Sequence, residues 1–275
     1  ALLLVLLALA TPAAEAAPII RTMDELLALE EDHVDVGAAA LVVAKAADPA
    51  AGQDEGLRRL ETLALELQQR LAGTSPGRER FEMLAPLLFR EAGLADGRFR
   101  YDPKSGHFAS VLNERRGDLF GLGVLCCALG QRLGLPVALC AAPDRWLATL
   151  DADAERFWLD VRPPGRIHDR KSLPEGCHER ELIILSRREL LGLLFLGAAL
   201  DLPRLDERRA ELLRRASFFA PASHTLWHRW AMETDWTEHR EEAQRYARKA
   251  LAVARQNKWS AMTLRDAALT GDAGV

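Results

Sequence analysis

The chain has 275 residues with a formal net charge of −4, and 28% of its residues are charged. This length suffices for one large or two modest domains with real hydrophobic cores. The chain does not have the excess of basic residues that is typical of nucleic-acid-binding proteins, so we predict no nucleic-acid partner. Four cysteines do not form a disulfide framework in a chain of this size, and we expect free, buried thiols.

The chain begins with ten uninterrupted apolar residues, Ala1–Ala10. Ala14-Glu15-Ala16 follows with the small-residue spacing at which secretory signal peptides are cleaved. The apolar run is too short to span a bilayer, for which about 20 residues are needed. We therefore interpret residues 1–16 as part of a signal peptide and predict an exported protein, periplasmic or secreted. Membrane attachment is expected only if this segment is retained as an anchor.

Three helical signals follow the apolar run. Asp24–Ala47 is rich in Ala and Leu, and Asp54–Leu71 places apolar residues on one face at helical spacing. Ser75-Pro76 is a typical helix start, which predicts a third helix running to Gly93. Pro86 inside that helix predicts a kink, because proline removes one backbone hydrogen bond.

The next region predicts one buried helix followed by a small sheet. Asp118 is a typical N-cap and Gly134 a typical stop for the apolar helix between them. Three strand-like runs follow and should pair in sequence order, because the links between them are short and turn-like. These runs are Val137–Ala142, Arg145–Leu150 and Arg156–Asp160. Pro163–Gly176 is rich in Pro and Gly and is predicted to be a loop. The predicted fold class is therefore α+β and α-rich.

Two motifs flank the apolar helix. Val111–Gly117 reads VLNERRG, and Arg132–Val137 reads RLGLPV. Together they resemble the transglutaminase-like superfamily, and most closely its SirB-type branch. The resemblance extends from about Asp35 to about Gln256 and implies a transglutaminase-like domain over residues 23–176.

The resemblance also implies where a catalytic triad would stand. Catalytic members carry a nucleophilic Cys at the start of the helix, a His on the next strand and an Asp on the strand after it. These positions fall at Leu119 (or Phe120), Arg145 and Asp160. Leu119 cannot be a nucleophile, and Arg145 cannot be a base because its guanidinium stays protonated. We expect Asp160 to be an ordinary ion-pair partner of Arg145, and we predict no catalytic residues and a catalytically silent pseudoenzyme.

The cysteines offer no evident replacement for the missing nucleophile. Cys126 and Cys127 lie in the middle of the apolar helix, and Cys140 lies in an apolar strand, so all three read as small core residues. Cys177 precedes His178, but adjacent residues of an extended chain point to opposite faces, which argues against a direct thiol–imidazole pair. Cys177 keeps one alternative open, a thiol protease or amidase with a displaced nucleophile.

The C-terminal region has the pattern of a helical repeat. Ser186-x-x-Glu189 and Asp235-x-x-Glu238 are capping boxes, which open helices. Frames of 34 residues placed at Leu190 and His224 match tetratricopeptide signature positions. The small residues at those positions are Gly197, Ala216, Ala231, Ala243, Ala247 and Ala250. We interpret residues 186–257 as two degenerate tetratricopeptide-like repeats, and the SirB-type branch also ends in such repeats. The alternative is a plain helical subdomain with coincidental spacing.

Three functional hypotheses follow from these features. The first is a non-catalytic binding or scaffold module that contacts a protein or peptide partner through the helical repeats. The second is the thiol enzyme with a displaced Cys. The third is metal binding by His224 and His228, which share one helix face, with His239 nearby. A structural zinc needs four ligands and only three candidates are in view, so we predict no metal and no cofactor.

Overall fold

The chain folds into a helix-rich structure with one five-stranded antiparallel sheet, which confirms the predicted α-rich α+β class. The computed structural model describes residues 20–75, 77–91, 95–96, 108–142, 145–175, 177–234 and 239–256. The proposed signal peptide, residues 1–16, and the Asp235-x-x-Glu238 capping box lie outside these stretches. Within them, no helix is both long and apolar enough to cross a lipid bilayer.

The region predicted as helical over Asp24–Ala47 is divided into two helices and a turn. In chain order they are α1 (Met23–Ala28), a 3-10 turn (Glu31–His33) and α2 (Val36–Ala47). The Asp35 carboxylate accepts a hydrogen bond from the Ala38 N–H over 3.0 Å. This N-cap starts a new helix where composition alone predicted a continuous one.

Helix α2 lies at the centre of the helical part, and ten of its twelve residues are buried. Its Ala-rich sequence permits this because small side chains let neighbouring helices approach from several sides. Helix α3 (Gln53–Arg70) crosses α2 at two glycines. A Cβ at Gly37 would lie 2.4 Å from Leu60, and a Cβ at Gly56 would lie 2.5 Å from Leu41. Both glycines therefore leave room for the leucine side chains that fill the crossing of the two helices.

Helix α4 (Arg78–Pro86) begins after Gly77 and not at the predicted Ser75-Pro76 signal. Gly77 has a φ of +91°, a left-handed value that favours glycine, and no side chain caps the helix there. Directly after the proline, the α-helix passes into a π-helical turn over Leu87–Glu91, where a distortion was expected. The predicted end at Gly93 lies outside the described residues.

The core helix α6 (Leu119–Arg132) begins and ends as the sequence predicts. Asp118 is the N-cap, and its Oδ1 accepts a hydrogen bond from the Gly121 N–H over 2.6 Å. At the other end Gly134 has a φ of +68°, and the Leu135 N–H donates over 2.8 Å to a carbonyl of the last helical turn. This is a Schellman motif, whose left-handed residue favours glycine. The elements between α4 and α6 include β1 (Ala95–Asp96), α5 (Phe108–Glu114) and β2 (Arg116–Gly117).

The three predicted strands pair in sequence order, as expected. They are β3 (Ala138–Ala141), β4 (Trp146–Ala152) and β5 (Glu155–Asp160). Asp153 and Ala154 connect β4 to β5 with φ values of 54° and 63°, which fit a tight hairpin turn of the I′ type. Two short strands complete the sheet, β6 (Ile167–His168) beside β5 and β7 (Ile183–Ile184) beside β3. Pro163–Gly176, predicted to be a loop, therefore contains an edge strand.

The two faces of the sheet differ in what covers them. Side chains of consecutive strand residues alternate between faces. The inner face contributes Leu139, Ala148, Leu150, Phe157 and Leu159 to the main core, and the sheet contacts α6. The outer face carries a separate cluster of Cys140, Leu147 and Trp158, and residues of the segment 173–182, Leu173 and Leu182, pack against it.

Four helices follow the sheet, namely α7 (Arg187–Leu200), α8 (Glu207–Phe219), α9 (His224–Glu233) and α10 (Arg240–Gln256). Helix α7 opens with the predicted capping box, in which Ser186 and Glu189 exchange side-chain-to-backbone hydrogen bonds of 3.2 and 3.0 Å. Helix α7 packs along α8 and α9 packs along α10, while α7 also contacts α2 and α9. One apolar cluster extends from Ile20 to Val253, so these helices share the core of the N-terminal part.

The four helices follow each other in the order expected of two helical repeats. The backbone of α7, however, approaches its neighbours most closely at Gly192 and not at the predicted Gly197. A Cβ at Gly197, a predicted signature position, would meet no described atom of another element within 4 Å. A Cβ at Gly192 would lie 2.4 Å from the Cβ of Ala220. Four other small residues of the frames are buried, namely Ala216, Ala231, Ala243 and Ala250. The tetratricopeptide-like assignment of residues 186–257 and the domain division stay predictions.

Candidate functional site

The start of α6, where the resemblance places a nucleophile, is apolar and buried. Leu119 is 8% exposed and Phe120 is 5% exposed. The ring of Phe120 contacts the ring of Trp146 at the start of β4, with centroids 5.1 Å apart and planes tilted by 56°. An aromatic pair of this geometry stabilises the junction of helix and sheet. The first turn of α6 thus packs on the sheet through two large apolar rings.

Arg145 and Asp160 form the ion pair expected from the sequence. Arg145 Nη1 lies 3.6 Å from Asp160 Oδ2, and the two side chains are 14% and 13% exposed. Asp160 Oδ1 also accepts a hydrogen bond from the Arg162 N–H over 2.9 Å. Arg145 Nη2 donates to the Glu175 carbonyl oxygen over 3.3 Å. The pair therefore ties together the start of β4, the end of β5 and the segment that covers the outer face.

Strand alternation separates this ion pair from the start of α6. Trp146 points to the inner face, where it meets Phe120, and the residue before it in sequence points the other way. The hydrogen bond of Arg145 to Glu175 agrees, because the segment around Glu175 covers the outer face. Asp160 pairs with Leu147, which lies on the outer face. The structure thus brings two of the three predicted positions together and places Leu119 on the helix at the opposite face.

All four cysteines are buried and none forms a disulfide, as predicted. Burial raises the pKa of the Cys126 thiol and of the Cys140 thiol to about 12 in each case. The pKa of Cys127 is also raised well above its ordinary value, by burial first and by the neighbouring Cys126 second. Such thiols are not nucleophiles near neutral pH. Cys177 is the least buried of the four, at 7% exposed, and keeps the displaced-nucleophile alternative open.

His224 and His228, which the sequence offered as possible metal ligands, stack ring against ring. The rings of His224 and His228 stack with centroids 5.5 Å apart, and His224 is 5% exposed. Across the part of the chain that the structure describes, which includes His239, no three His, Cys, Asp or Glu side chains are grouped closely enough to hold a metal ion.

A polar cavity on the outer face was not predicted from the sequence. It encloses about 820 Å³ above the β4–β5 hairpin, and its walls come from that hairpin, residues 169–171 and Glu179. Trp158 lines it, and the indole Nε1 of Trp158 is buried without a hydrogen-bond partner among the described residues. No local sequence signal marks this site, because its walls lie on segments that only the folded sheet brings together.

A second groove, of about 780 Å³, runs along the C-terminal end of α6, the start of β3 and the start of α7. Two polar side chains on its walls, Gln131 and Arg132, are held by the start of α2. Gln131 accepts from the Val36 N–H and donates to the Val34 carbonyl oxygen, at 2.9 and 3.0 Å. Arg132 binds Asp35 at 2.9 Å. These contacts fasten the start of α2 to α6, which is a structural role.

Comparison with known proteins agrees with this architecture. Residues 54–189 match the family model of the transglutaminase-like superfamily. A stretch of 126 residues is 29% identical to the UPF0162 protein of Vibrio cholerae and covers 46% of this chain and 47% of that protein. The match therefore spans about half the length of that relative.

A solved structure is also similar over most of the chain. The crystal structure of menin, which reveals the binding site for Mixed Lineage Leukemia (MLL) protein, matches this chain with a TM-score of 0.59. The similarity covers 88% of this chain and 64% of that chain at 16% sequence identity, and so concerns the fold alone. Together with the family match, the core helix packed on an antiparallel sheet shows that this chain contains a transglutaminase-like domain over residues 54–189.

Proposed function

We propose that this protein is a non-catalytic member of the SirB-type branch that binds a protein or peptide partner. The observation that carries the proposal is the apolar contact at the start of α6. A thiol enzyme needs a thiolate there and a base within hydrogen-bond reach. Phe120 and Trp146 occupy that junction instead, with ring centroids 5.1 Å apart.

The buried thiols support the same proposal. Cys126 and Cys140 would have to lose a proton in an apolar environment, where burial raises the pKa of each to about 12. The ion pair of Arg145 and Asp160 supports it as well, because a positively charged guanidinium occupies the position of the base. The domain then serves as a scaffold and not as a catalyst.

The C-terminal helices are the proposed partner-binding region. Helix α7 packs on α8 and α9 packs on α10, and two such helix pairs in sequence are consistent with tetratricopeptide-like repeats, which commonly bind peptides. Phe218 on α8 is 61% exposed, and the Arg188 guanidinium carbon lies 5.8 Å from its ring centroid. An exposed aromatic ring beside an arginine is typical of residues that dominate binding energy at interfaces. The similarity of the fold to menin, whose structure reveals a binding site for MLL protein, also favours a binding role.

The proposal includes the location of the protein and the class of its partner. We propose export with removal of residues up to Ala16, on the signal-like pattern of Ala1–Ala16. Mass spectrometry of the mature N-terminus tests this proposal. The net charge of −4 favours a protein or peptide partner over nucleic acid.

Alkylation with iodoacetamide and hydrolysis of fluorogenic amide substrates test the absence of catalysis. We expect no thiol-dependent turnover in the native protein and no selectively reactive cysteine near neutral pH. The matched variants are Cys177→Ala and Cys126→Ala. If Cys177→Ala folds normally but loses a hydrolase activity of the parent, the displaced-nucleophile enzyme is correct and our proposal is wrong.

Selection of displayed peptides on the immobilised full chain tests the binding role. A selected peptide should bind the parent and lose about tenfold in affinity to Phe218→Ser, as expected for loss of an aromatic anchor. Leu65→Ser, which changes another exposed apolar residue on α3, serves as the matched control. Equal loss of affinity in both variants, or in neither, contradicts the proposed binding region.

A further inference from the structure

We propose that the exposed surface around Phe218 binds an acidic peptide segment that carries an aromatic side chain. This Arg–Phe patch consists of Arg188 on α7 and of Glu211, Arg214, Arg215 and Phe218 on α8. Binding here rests on the proposed function, in which the C-terminal helices contact a peptide partner, and gives that partner a defined chemistry.

Phe218 is an exposed aromatic ring that the core holds in place. It is 61% exposed and is the only aromatic among the four large apolar side chains exposed in the described part of the chain. Its ring lies edge-on to the ring of Phe219, with centroids 5.5 Å apart. Phe219 is buried and stacks on Phe195 in the core, with centroids 5.4 Å apart. A ligand ring can therefore pack on Phe218 at a low cost in side-chain ordering.

The guanidinium of Arg188 lies over these rings and is not neutralised. Its central carbon lies 5.8 Å from the ring centroid of Phe218 and 5.7 Å from that of Phe219. Among the described residues it forms no ion pair and no hydrogen bond. The adjacent Glu189 carboxylate is engaged in the helix cap, where it accepts from the Ser186 N–H over 3.0 Å. The planar donors of a guanidinium suit a carboxylate, so Arg188 can bind an acidic side chain of the ligand.

Two further arginines extend the positive charge along α8. Arg214, Arg215 and Phe218 share one helix face with Glu211, at spacings of three, four and seven residues. Arg214 and Arg215 both bind the single carboxylate of Glu211. Three arginines and one glutamate give the Arg–Phe patch a net charge of 3 − 1 = +2. The whole chain has a net charge of −4, so this surface is a local reversal of sign that attracts an acidic ligand.

Helix α3 carries the same pattern of charge without an aromatic ring. Glu55, Arg58 and Arg59 repeat the spacing, and both arginines bind Glu55. The position that corresponds to Phe218 is a threonine. The Arg58 side chain is 70% exposed, close to the 75% of Arg214. Helix α3 therefore has the paired charges of the Arg–Phe patch but no exposed ring, which makes it a matched control.

Proton–nitrogen correlation spectra of the arginine side chains in the full chain test the proposal. The probe is the acetylated and amidated peptide Glu-Glu-Phe-Glu-Glu, and Lys-Lys-Phe-Lys-Lys with the same ends is the charge-reversed control. The Nε–H signal of Arg188 is assigned by its loss in Arg188→Gln. We expect the acidic peptide to shift this signal saturably and the basic peptide to leave it unchanged. No shift with the acidic peptide, or an equal shift with both peptides, overturns the proposal.

The aromatic side chain of the ligand is tested with a third peptide, Glu-Glu-Gly-Glu-Glu, which lacks the ring. It should bind about fivefold more weakly, as expected for loss of one aromatic contact. Phe218→Ser should bind the two acidic peptides equally, because the ring that distinguishes them is gone. Equal binding of both acidic peptides to the parent chain contradicts the proposed aromatic contact.

Three variants locate the charge that the ligand meets. Arg188→Gln should weaken binding of Glu-Glu-Phe-Glu-Glu about fivefold, the effect of one exposed ion pair, and should reduce its dependence on salt. Arg214→Gln should weaken binding by a smaller factor, because Arg214 already shares Glu211. Arg58→Gln on α3 is the matched control and should bind normally. All three arginines are exposed, so the variants should fold. Equal losses in Arg188→Gln and Arg58→Gln would indicate unspecific attraction and overturn the proposal.

A single strand of five thymidine nucleotides tests the other class of acidic ligand. This strand extends beyond the Arg–Phe patch onto a chain of net negative charge, so we expect it to bind more weakly than Glu-Glu-Phe-Glu-Glu. Tighter binding of the nucleotide strand at Arg188 would overturn the proposal.

The outcome is distinguishable from the tests of the proposed function. If the selected peptides depend on Phe218 but bind Arg188→Gln as tightly as the parent, the binding region is correct and the acidic ligand is wrong. If Glu-Glu-Phe-Glu-Glu binds at Arg188 while the native protein shows thiol-dependent turnover, the acidic ligand is supported and the non-catalytic assignment is wrong.

Discussion

The inner and outer faces of the central sheet have opposite characters. The inner face packs apolar side chains such as Leu139 and Phe157 into the main core beside α6. The outer face holds the Arg145–Asp160 ion pair and the unpaired indole of Trp158. In a thiol enzyme of this superfamily the junction of helix and sheet would be the polar, reactive place. Here that junction is filled with hydrophobic residues, and polar groups concentrate on the other face.

Truncation on the inner face should have the largest effect on stability. Phe157 is 1% exposed, so Phe157→Ala should lower the free energy of unfolding by about 3–5 kcal/mol through lost burial and a residual cavity. Urea denaturation followed by circular dichroism measures this change. Phe218→Ala, which removes a ring that is 61% exposed, is the control and should cost far less. Similar costs for both variants would show that the inner face is not the principal core.

Breaking the Arg145–Asp160 ion pair on the outer face should lower stability by a smaller amount. Arg145→Ala leaves Asp160 largely buried without its cation, and we expect the free energy of unfolding to fall by about 2 kcal/mol. The double variant Arg145→Leu with Asp160→Leu should recover part of this loss, because no unpaired charge remains. Thermal unfolding of both variants provides the measurement. An Arg145→Ala protein as stable as the parent would mean that the pair does not lock the sheet.

The separation of the faces can be tested by building a thiol–imidazole pair across the helix–sheet junction. Phe120→Cys with Trp146→His places the two groups where the rings now meet. The imidazole and the helix N-terminus should lower the pKa of the new thiol, so alkylation at neutral pH should be about tenfold faster than in Phe120→Cys alone.

The control is a second thiol–imidazole pair, placed at the positions that the family resemblance assigns to the nucleophile and the base. Leu119→Cys with Arg145→His should alkylate no faster than Leu119→Cys alone, because strand alternation turns residue 145 to the outer face. The pH dependence of iodoacetamide labelling distinguishes the two pairs. The opposite outcome would place residues 119 and 145 in one cleft and restore the mapping implied by the family.

We expect the smallest effect on stability from deprotonation of Cys140, the buried thiol on the outer face. Burial raises the pKa of Cys140 from 9.0 to about 12, so the folded state holds this proton more tightly than the unfolded state. The contribution of the protonated Cys140 thiol to stability is fully present below pH 9 and is lost as the pH rises towards 12. We expect a loss of about 1 kcal/mol near pH 10. Denaturation of Cys140→Ala should lack this part of the alkaline decline, and an identical decline in parent and variant would contradict it.

Much of the fold could be predicted from local sequence signals. Asp118 and Gly134 fixed the ends of α6, because a side-chain cap and a left-handed glycine act within a few residues. Ser186 and Glu189 fixed the start of α7 for the same reason. The boundary of α4 was missed, because Gly77 starts that helix without any side-chain cap and leaves no recognisable motif.

The sequence by itself determined the α+β class, the order of the central strands and the burial of the cysteines. These properties depend on residue type, helix caps and short-range pairing. Only the tertiary structure decided that Arg145 and Asp160 lie on the face opposite to α6. The same holds for Trp158, which lines a cavity together with the rest of the hairpin, residues 169–171 and Glu179. Both features depend on which face of a strand each side chain takes and on segments distant in sequence, and no local pattern encodes those relations.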